Sequence, residues 1–411
     1  MDSINFYKGG ELMSKPKVFE KPTGVKDYLP ETVSKLRSIE TRVLDCMEKW
    51  GYQQIITPTL EFYDTVGTAS STMDRKLFKL LDQNGRTLVL RSELTAPIAR
   101  VVASLLKDEP FPLRLSYHSN VFRAFEQEAG RESEFFQTGV ELVGDGSPEA
   151  DAEVIALAIA TLQAAGVHAF KIALGHVGYL NGLFNETLPG RLEEQEALKK
   201  CLLKRDHVGY RQQLRQLDLD QGTRSELEGI LRLRGGEEIC EQARSVTNDP
   251  LAQRSIQHLC EIWDVLEAYG LSSHVLMDLT MIGDFSYYTG MTFEGYSADL
   301  GFPVCSGGRY DNLLALFGRP APATGFALKT DRILEAVSKL PAERPRRILV
   351  AYTAEGRKAA FARASELRQG AGNQVEARRV DGEWNGEAEQ PDADGLYHYA
   401  GKLYDEVYYF G

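Results

Sequence analysis

Arg114, Arg123, Gln137 and Glu141 fall within one stretch, FPLRLSYHSNVFRAFEQEAGRESEFFQTGVELVG over residues 111–144, at spacings that could hold a small charged molecule. Two apolar, strand-like runs flank a polar connection containing a glycine, the pattern of a hairpin whose loop presents side chains. Gln137 and Glu141 lie four apart, and on a strand that spacing puts both on one face. Arg114 and Tyr117 on the first run, and the Phe122-Arg123 pair at its end, are expected to share that surface. A guanidinium, an amide and a carboxylate together suit a zwitterion or a phosphate. Arginine forks onto anionic oxygens, while a glutamate and a glutamine carbonyl accept hydrogen bonds from an ammonium or an imidazole N–H. An edge hairpin with one solvated polar face would carry the same residue types.

Further candidates lie on either side. KLFKLLDQNGRTLVLR turns at Asn84-Gly85, a strong two-residue hairpin signal, and delivers Arg91, Glu93 and Thr95 in LRSELTAPIAR. The same Ser/Glu/Thr cluster before Ala96-Pro97 also reads as a helix N-terminus. Tyr287 and Tyr288 either wall a pocket or belong to the core with their hydroxyls satisfied. His176, His207 and His258 occur singly, which suits structural or solvated imidazoles better than ligands. Cys46, Cys201, Cys240, Cys260 and Cys305 lack CxxC spacing and are expected to be reduced thiols that form no metal site.

The elements that must position these residues are legible in outline. A chain of 411 residues predicts two or three domains. With 43% hydrophobic and 26% charged residues it reads as globular, and no apolar run approaches the roughly 20 residues of a membrane span. A formal net charge of −12 offers no general attraction to nucleic-acid phosphates, although local basic patches survive an acidic total. Residues 1–17 read as a disordered tail. Lys8-Gly9-Gly10 is what a purine-rich ribosome-binding sequence ahead of Met13 would encode, so that tail need not be native. Leu36, Ile39, Val43, Cys46 and Trp50 recur at helical spacing before Gly51, and Pro58 interrupts a strand-like run at an edge or bulge. Ser147-Pro148 opens a helix to about Gly166 that buries Ile155, Ile159 and Leu162. A strand over AFKIALGHVG precedes a helical insertion at about 185–270. Strand alternation returns from Val275, where Gly307-Gly308 is expected to force a turn. After a Pro341–Pro345 linker, residues 346–411 predict a small α/β unit.

The hairpin at 111–144 resembles motif 2 of the class II aminoacyl-tRNA synthetases, and QTGVELVG resembles the histidyl-tRNA synthetase version. GYQQIITPTLEFYDTVG is similar to motif 1, the dimer element of that family, and PAPATGFALKTDRIL to motif 3; SYYTG and SGGRYDNL agree. The resemblance runs in the family's order over residues 18–340. It implies an α+β core, an antiparallel sheet flanked by helices with a helical insertion, that forms a homodimer. It also implies a histidine pocket: Glu93, Thr95 and Gln137 around the ammonium, Glu141 on the imidazole N–H, Tyr288 as a wall, and Arg123 and Tyr287 beside them.

The departures from that family set the expected function. Gly283 stands where synthetases carry the arginine that stabilises the activating carboxylate and phosphate. Fixed cations serve a negatively charged phosphoryl transition state, so the loss is expected to cost orders of magnitude in rate. Ala124-Phe125 follows Arg123, with Glu126 one place late on the adenine side. Lys329 replaces the small glycine expected before Arg332, with Thr330-Asp331 after it. The C-terminal segment is shorter than an anticodon domain and carries the acidic DGEWNGEAEQPDAD. A chain with the histidine-selecting set but without the phosphate chemistry resembles the regulatory subunits of ATP phosphoribosyltransferase. That resemblance implies a cytoplasmic, non-catalytic subunit of a hetero-oligomer with the short-form catalytic subunit, required for the first step of histidine biosynthesis, with histidine as feedback effector. No catalytic residue, metal, cofactor, tRNA or membrane contact is expected. A divergent active histidyl-tRNA synthetase and a stand-alone histidine sensor are the alternatives.

Overall fold

In a computed structural model, residues 20–124, 132–282, 288–337, 345–380 and 391–411 are described, together with the backbone at 7–8 and 11–12. There the first two short strands, β1 (Tyr7–Lys8) and β2 (Glu11–Leu12), pair with each other. Helix α1 (Pro30–Lys49) buries Leu36, Ile39, Val43 and Met47, so Met47 rather than Cys46 completes the apolar stripe. Gly51, at φ +83°, ends it. Strand β3 (Gln53–Gln54) joins the main sheet. Beyond Pro58, β4 (Leu60–Phe62), β5 (Lys79–Leu81) and β6 (Thr87–Leu90) form a separate sheet in the order β4-β6-β5. The Asn84-Gly85 turn is as expected, with Gly85 at φ +78° and the Asp82 carboxylate accepting from the amides of Asn84 and Arg86.

Helix α2 (Thr95–Ser104) leads to the hairpin of β7 (Leu113–Phe122) and β8 (Glu134–Val143), in unbroken register from Leu113 opposite Val143 to Phe122 opposite Glu134. Helix α3 (Pro148–Ala164) starts where predicted, with the Ser147 side chain accepting from the Ala150 amide. After β9 (Phe170–His176) come α4 (Val177–Thr187), α5 (Leu192–Leu203), α6 (His207–Gln216), α7 (Gln221–Gly229), β10 (Arg234–Gly235), α8 (Glu238–Arg244) and α9 (Pro250–Ala268). The chain returns through β11 (Val275–Asp278), β12 (Met291–Ser297), β13 (Pro303–Arg309), β14 (Ala323–Lys329) and α10 (Thr330–Ala336). Nine strands form one sheet in the order β10-β11-β9-β12-β13-β14-β8-β7-β3. It is antiparallel except at β11–β9 and β3–β7.

Strand alternation divides this sheet into two chemically distinct faces. Val140, Leu142, Phe326, Leu328, Ile172, Leu174 and Phe293 pack with α1, α3, α4 and α9 in the main core. The opposite rows carry Gln137, Gly139 and Glu141, and a smaller cluster of Leu94, Ile98, Tyr117, Tyr310 and Leu313 covers part of that face. Gly307 and Gly308 lie inside β13 and make no turn. A Cβ on Gly307 would stand 2.4 Å from the Gly325 carbonyl oxygen, and one on Gly308 would stand 2.8 Å from the Tyr288 ring. Close approach, not φ, is what requires glycine there.

Helix packing corrects the expectation of free thiols throughout and gives two of the histidines structural partners. Cys240 on α8 and Cys260 on α9 are disulfide-bonded, with Cα atoms 6.0 Å apart, while Cys46, Cys201 and Cys305 are free thiols. His176 and His258 meet edge to face at 5.6 Å, and His258 Nε2 lies 3.3 Å from a carboxylate oxygen of buried Asp151, so neither is solitary. Among the described residues no helix is long and apolar enough to cross a membrane.

The chain divides into two compact units, Met1–Leu340 and Pro341–Gly411. The second contains β15 (Arg346–Tyr352), α11 (Arg357–Arg368), β16 (Asn373–Arg379), the hairpin β17 (Tyr397–Tyr399) and β18 (Lys402–Tyr404), and β19 (Glu406–Phe410). Its parallel sheet β16-β15-β19 packs Val350 against Ala360 and Ala364 on one side, and Leu349 and Ala351 against Tyr404 on the other.

Candidate functional site

A cavity opens on the polar face of the sheet, lined by Glu93, Thr95, Tyr117, Gln137, Glu141, Tyr288, Ser306, Tyr310 and the strand segment Gly325–Ala327. Gln137 and Glu141 reach it because two β8 turns of the pleat separate them on one face. Glu141, 1% exposed, receives the Thr95 hydroxyl at 2.8 Å on one oxygen and the Tyr310 hydroxyl on the other. Burial pushes its carboxyl up to about 8, and the Glu93 charge adds to this, while the two hydroxyl donors oppose it. Room for the carboxylate comes from Gly325, directly across the pair, where a Cβ would lie 2.0 Å from Glu141 Oε2.

Glu93 caps a helix from a position in the cavity wall. Its carboxylate accepts from the amides of Thr95 and Ala96, capping α2, while its side chain lines the cavity. Burial raises its pKa; the two amides and the Arg123 charge work the other way. Gln137 is 5% exposed, and its carbonyl oxygen has no hydrogen-bond partner among the described residues. Such a buried acceptor costs free energy until a donor reaches it.

The arginines separate. Arg123, just past the end of β7, donates through Nε to the Ser92 carbonyl at 2.8 Å and lies over the Phe135 ring. Arg114 grips Glu153 on α3 at 2.8 and 2.7 Å, which corrects the expectation that it shares the Gln137–Glu141 surface. Arg114 and Tyr117 are three positions apart, an odd offset, and the pleat puts them on opposite faces. Arg91 is structural, bonded to the carbonyls of Asn120 and Thr57. Tyr288 walls the cavity beside Gly308. Tyr287 and Gly283 lie outside the described residues, as do Phe125 and Glu126.

Sequence reasoning missed Tyr310. Its signal was available only in part: an aromatic two residues beyond Gly308 keeps the row, but its hydroxyl's target comes from β8, far away in the chain. The motif 3 departures have structural uses. The Asp331 carboxylate accepts from the Phe136 amide at 2.8 Å, and the Thr330 hydroxyl meets Thr138 at 3.0 Å, tying α10 to β8. Taken together, two carboxylates, an amide carbonyl and three phenols present an acceptor-rich cavity suited to a small molecule carrying an ammonium and a ring N–H.

Residues 24–333 match the family model described as Histidyl-tRNA synthetase. The chain is similar to proteins named ATP phosphoribosyltransferase regulatory subunit. That of Bacillus licheniformis is 50% identical over 86% of this chain and 90% of the relative; that of Bacillus subtilis is 46% identical over 89% and 93%. Among solved structures, one titled ATP phosphoribosyltransferase regulatory subunit/histidyl-tRNA synthetase from Bacillus halodurans matches with a TM-score of 0.85 at 42% identity, covering 96% of this chain and 99% of that one. Histidyl-tRNA synthetase from Nostoc sp. shares the fold, with a TM-score of 0.76 at 19% identity over 90% of this chain and 88% of that one.

Proposed function

This chain belongs to the family of ATP phosphoribosyltransferase regulatory subunits, built on the histidyl-tRNA synthetase core, and from that premise we propose that its cavity binds L-histidine as an effector rather than as a substrate. The chain serves histidine biosynthesis as a regulatory subunit of ATP phosphoribosyltransferase. One observation carries the ligand reading: the unpartnered Gln137 carbonyl lies in the same cavity as the Glu93 and Glu141 carboxylates. The α-ammonium fits Glu93, Thr95 and Gln137. The imidazole N–H fits Glu141, with Tyr288 as a wall. Histidine then inhibits by favouring one assembly state of the complex with the catalytic subunit, and a coupling of about 1–3 kcal/mol changes inhibition roughly 5- to 150-fold.

Absence of aminoacylation belongs to the same reading. It is supported by Lys329, a long side chain at the end of β14 where the family keeps glycine and a flat base must approach the backbone. In calorimetry the chain is expected to bind histidine, while histidine-dependent ATP–pyrophosphate exchange stays at background. Exchange at the rate of a working synthetase would overturn the reading, and so would failure to bind histidine.

The core is proposed to form a homodimer through β4-β6-β5. Cross-strand register puts Leu60, Phe62, Leu80, Leu88 and Leu90 on one face of this sheet, where Leu60, Phe62 and Leu80 are 47%, 41% and 44% exposed. A contiguous apolar face of this kind marks an association surface. Sedimentation at micromolar concentration is expected to give a dimer, and Phe62→Asp with Leu80→Asp a monomer. A monomeric unsubstituted chain would contradict this.

A further inference from the structure

Lys329 ends β14 directly opposite Gln137 of β8. Residues facing each other across an antiparallel pair project to the same side of the sheet, so Gly325, Ala327 and Lys329 share the face of Glu141, Gly139 and Gln137. Gly325 and Ala327 line the cavity, and Lys329 stands two residues further along the same row. Among the described residues no carboxylate forms an ion pair with its ammonium. The Glu294 carboxylate, whose charge does reach it, is already engaged by Arg205 at 3.6 Å and by the Tyr296 hydroxyl. The positive charges it meets are the guanidiniums of Arg332 and Arg123. Burial, reinforced by those two cations, pushes the lysine down to about 8. A cation so placed, beside an unfilled amide acceptor, is stabilised by an incoming anion.

We propose that Lys329 is the anion subsite of this cavity and binds the α-carboxylate of the amino acid whose ammonium meets Gln137. The proposal rests on the histidine reading above and extends it to the end of the ligand which that reading leaves without a partner. In an α-amino acid the ammonium nitrogen and the carboxylate carbon share one Cα and lie about 2.5 Å apart. A carboxylate whose ammonium bonds to Gln137 therefore falls within reach of the side chain on the facing residue, since Cα atoms of paired residues are about 4.5–5.5 Å apart. Arg123, just past the end of β7, adds positive charge near Lys329, while Glu93 and Glu141 hold the negative end. The cavity thus matches the dipole of a zwitterion, and Lys329 distinguishes amino acid from amine or alcohol.

The test is calorimetric titration of the full-length chain and of Lys329→Met with three probes: L-histidine, L-histidinol, whose carboxylate is replaced by a hydroxymethyl group, and inorganic pyrophosphate. The unsubstituted chain is expected to prefer histidine to histidinol by about ten- to hundredfold, the worth of one charged hydrogen bond. Lys329→Met is expected to abolish that preference by weakening histidine alone, and Lys329→Arg to restore part of it. Equal weakening of histidine and histidinol would show a structural role and overturn the assignment. So would a loss confined to pyrophosphate, which would make this a phosphate site. If the unsubstituted chain binds histidine and histidinol equally, the Lys329 assignment falls and the histidine reading stands; if it binds neither, both fall.

Discussion

At pH 8 the ligand-free Glu141→Gln protein is expected to melt about 5 °C above the unsubstituted chain while losing most of its affinity for histidine. The two effects have opposite signs because the carboxylate is costly without a ligand and useful with one. In the folded chain the Glu141 carboxyl keeps its proton up to about 8, whereas unfolded glutamate releases it near 4.5. Between those values the folded state binds more protons than the unfolded, so stability falls as pH rises through the window and the full penalty is present above about 8. At about 1.36 kcal/mol for each tenfold change in proton affinity, the difference is on the order of 5 kcal/mol. Relaxation around the site reduces what a melting experiment records. Glutamine does not titrate, so the advantage of Glu141→Gln should shrink toward pH 5, where glutamic acid is neutral as well. Histidine affinity should fall about 10- to 150-fold, since a charge-assisted hydrogen bond to the ring N–H is replaced by a neutral one. A lower melting temperature at pH 8 with unchanged histidine affinity would mean that Glu141 serves only Thr95 and Tyr310. If the variant remains folded and the reconstituted enzyme keeps its full histidine sensitivity, the effector site lies outside this cavity.

Arg309→Met is expected to be the most destabilising of these substitutions, by about 3–5 kcal/mol in urea unfolding at pH 8. Arg309 ends β13 beside Tyr310 and is 4% exposed. It reaches Asp151, which is fully buried on α3, at 3.0 and 2.9 Å, and also holds the Asp145 carbonyl and the Asp311 carboxylate at 3.2 Å each. Removing the guanidinium leaves a buried carboxylate facing the Thr324 hydroxyl and a neutral-leaning His258, whose own pKa burial lowers. Burial already raises the Asp151 pKa against the opposing pull of Arg309, so in the variant the acid should go higher still. A raised acid favours the folded state at low pH, and the deficit should therefore narrow at pH 5.5. Arg309→Met with Asp151→Leu should recover part of the loss, because the uncompensated charge is gone. A loss below about 1 kcal/mol, or a double variant no better than the single one, would show that the pair is not what secures β13 to α3.

The sequence by itself determined what depends on neighbours along the chain. Period-two alternation placed Gln137 and Glu141 on one face of a strand, Asn84-Gly85 marked a turn, Ser147-Pro148 opened α3, and the order of motifs identified the synthetase-like core. The first three follow from backbone geometry within a few residues, and the last from the resemblance of those motifs to a known family. Register between strands and the approach of packed helices are set by chain segments tens to hundreds of residues away, and no local pattern encodes them. Tertiary structure alone therefore decided that Arg114 turns to Glu153, that Tyr310 donates to Glu141, and that His176 and His258 meet above Asp151. It also decided that Cys240 meets Cys260. For Glu93, where the sequence allowed a cap or a ligand, the carboxylate caps α2 while the side chain lines the cavity. Lys329 was legible as a departure from glycine, but its place opposite Gln137 required the β14–β8 register, because facing residues in a sheet are chosen by pairing and not by proximity in sequence.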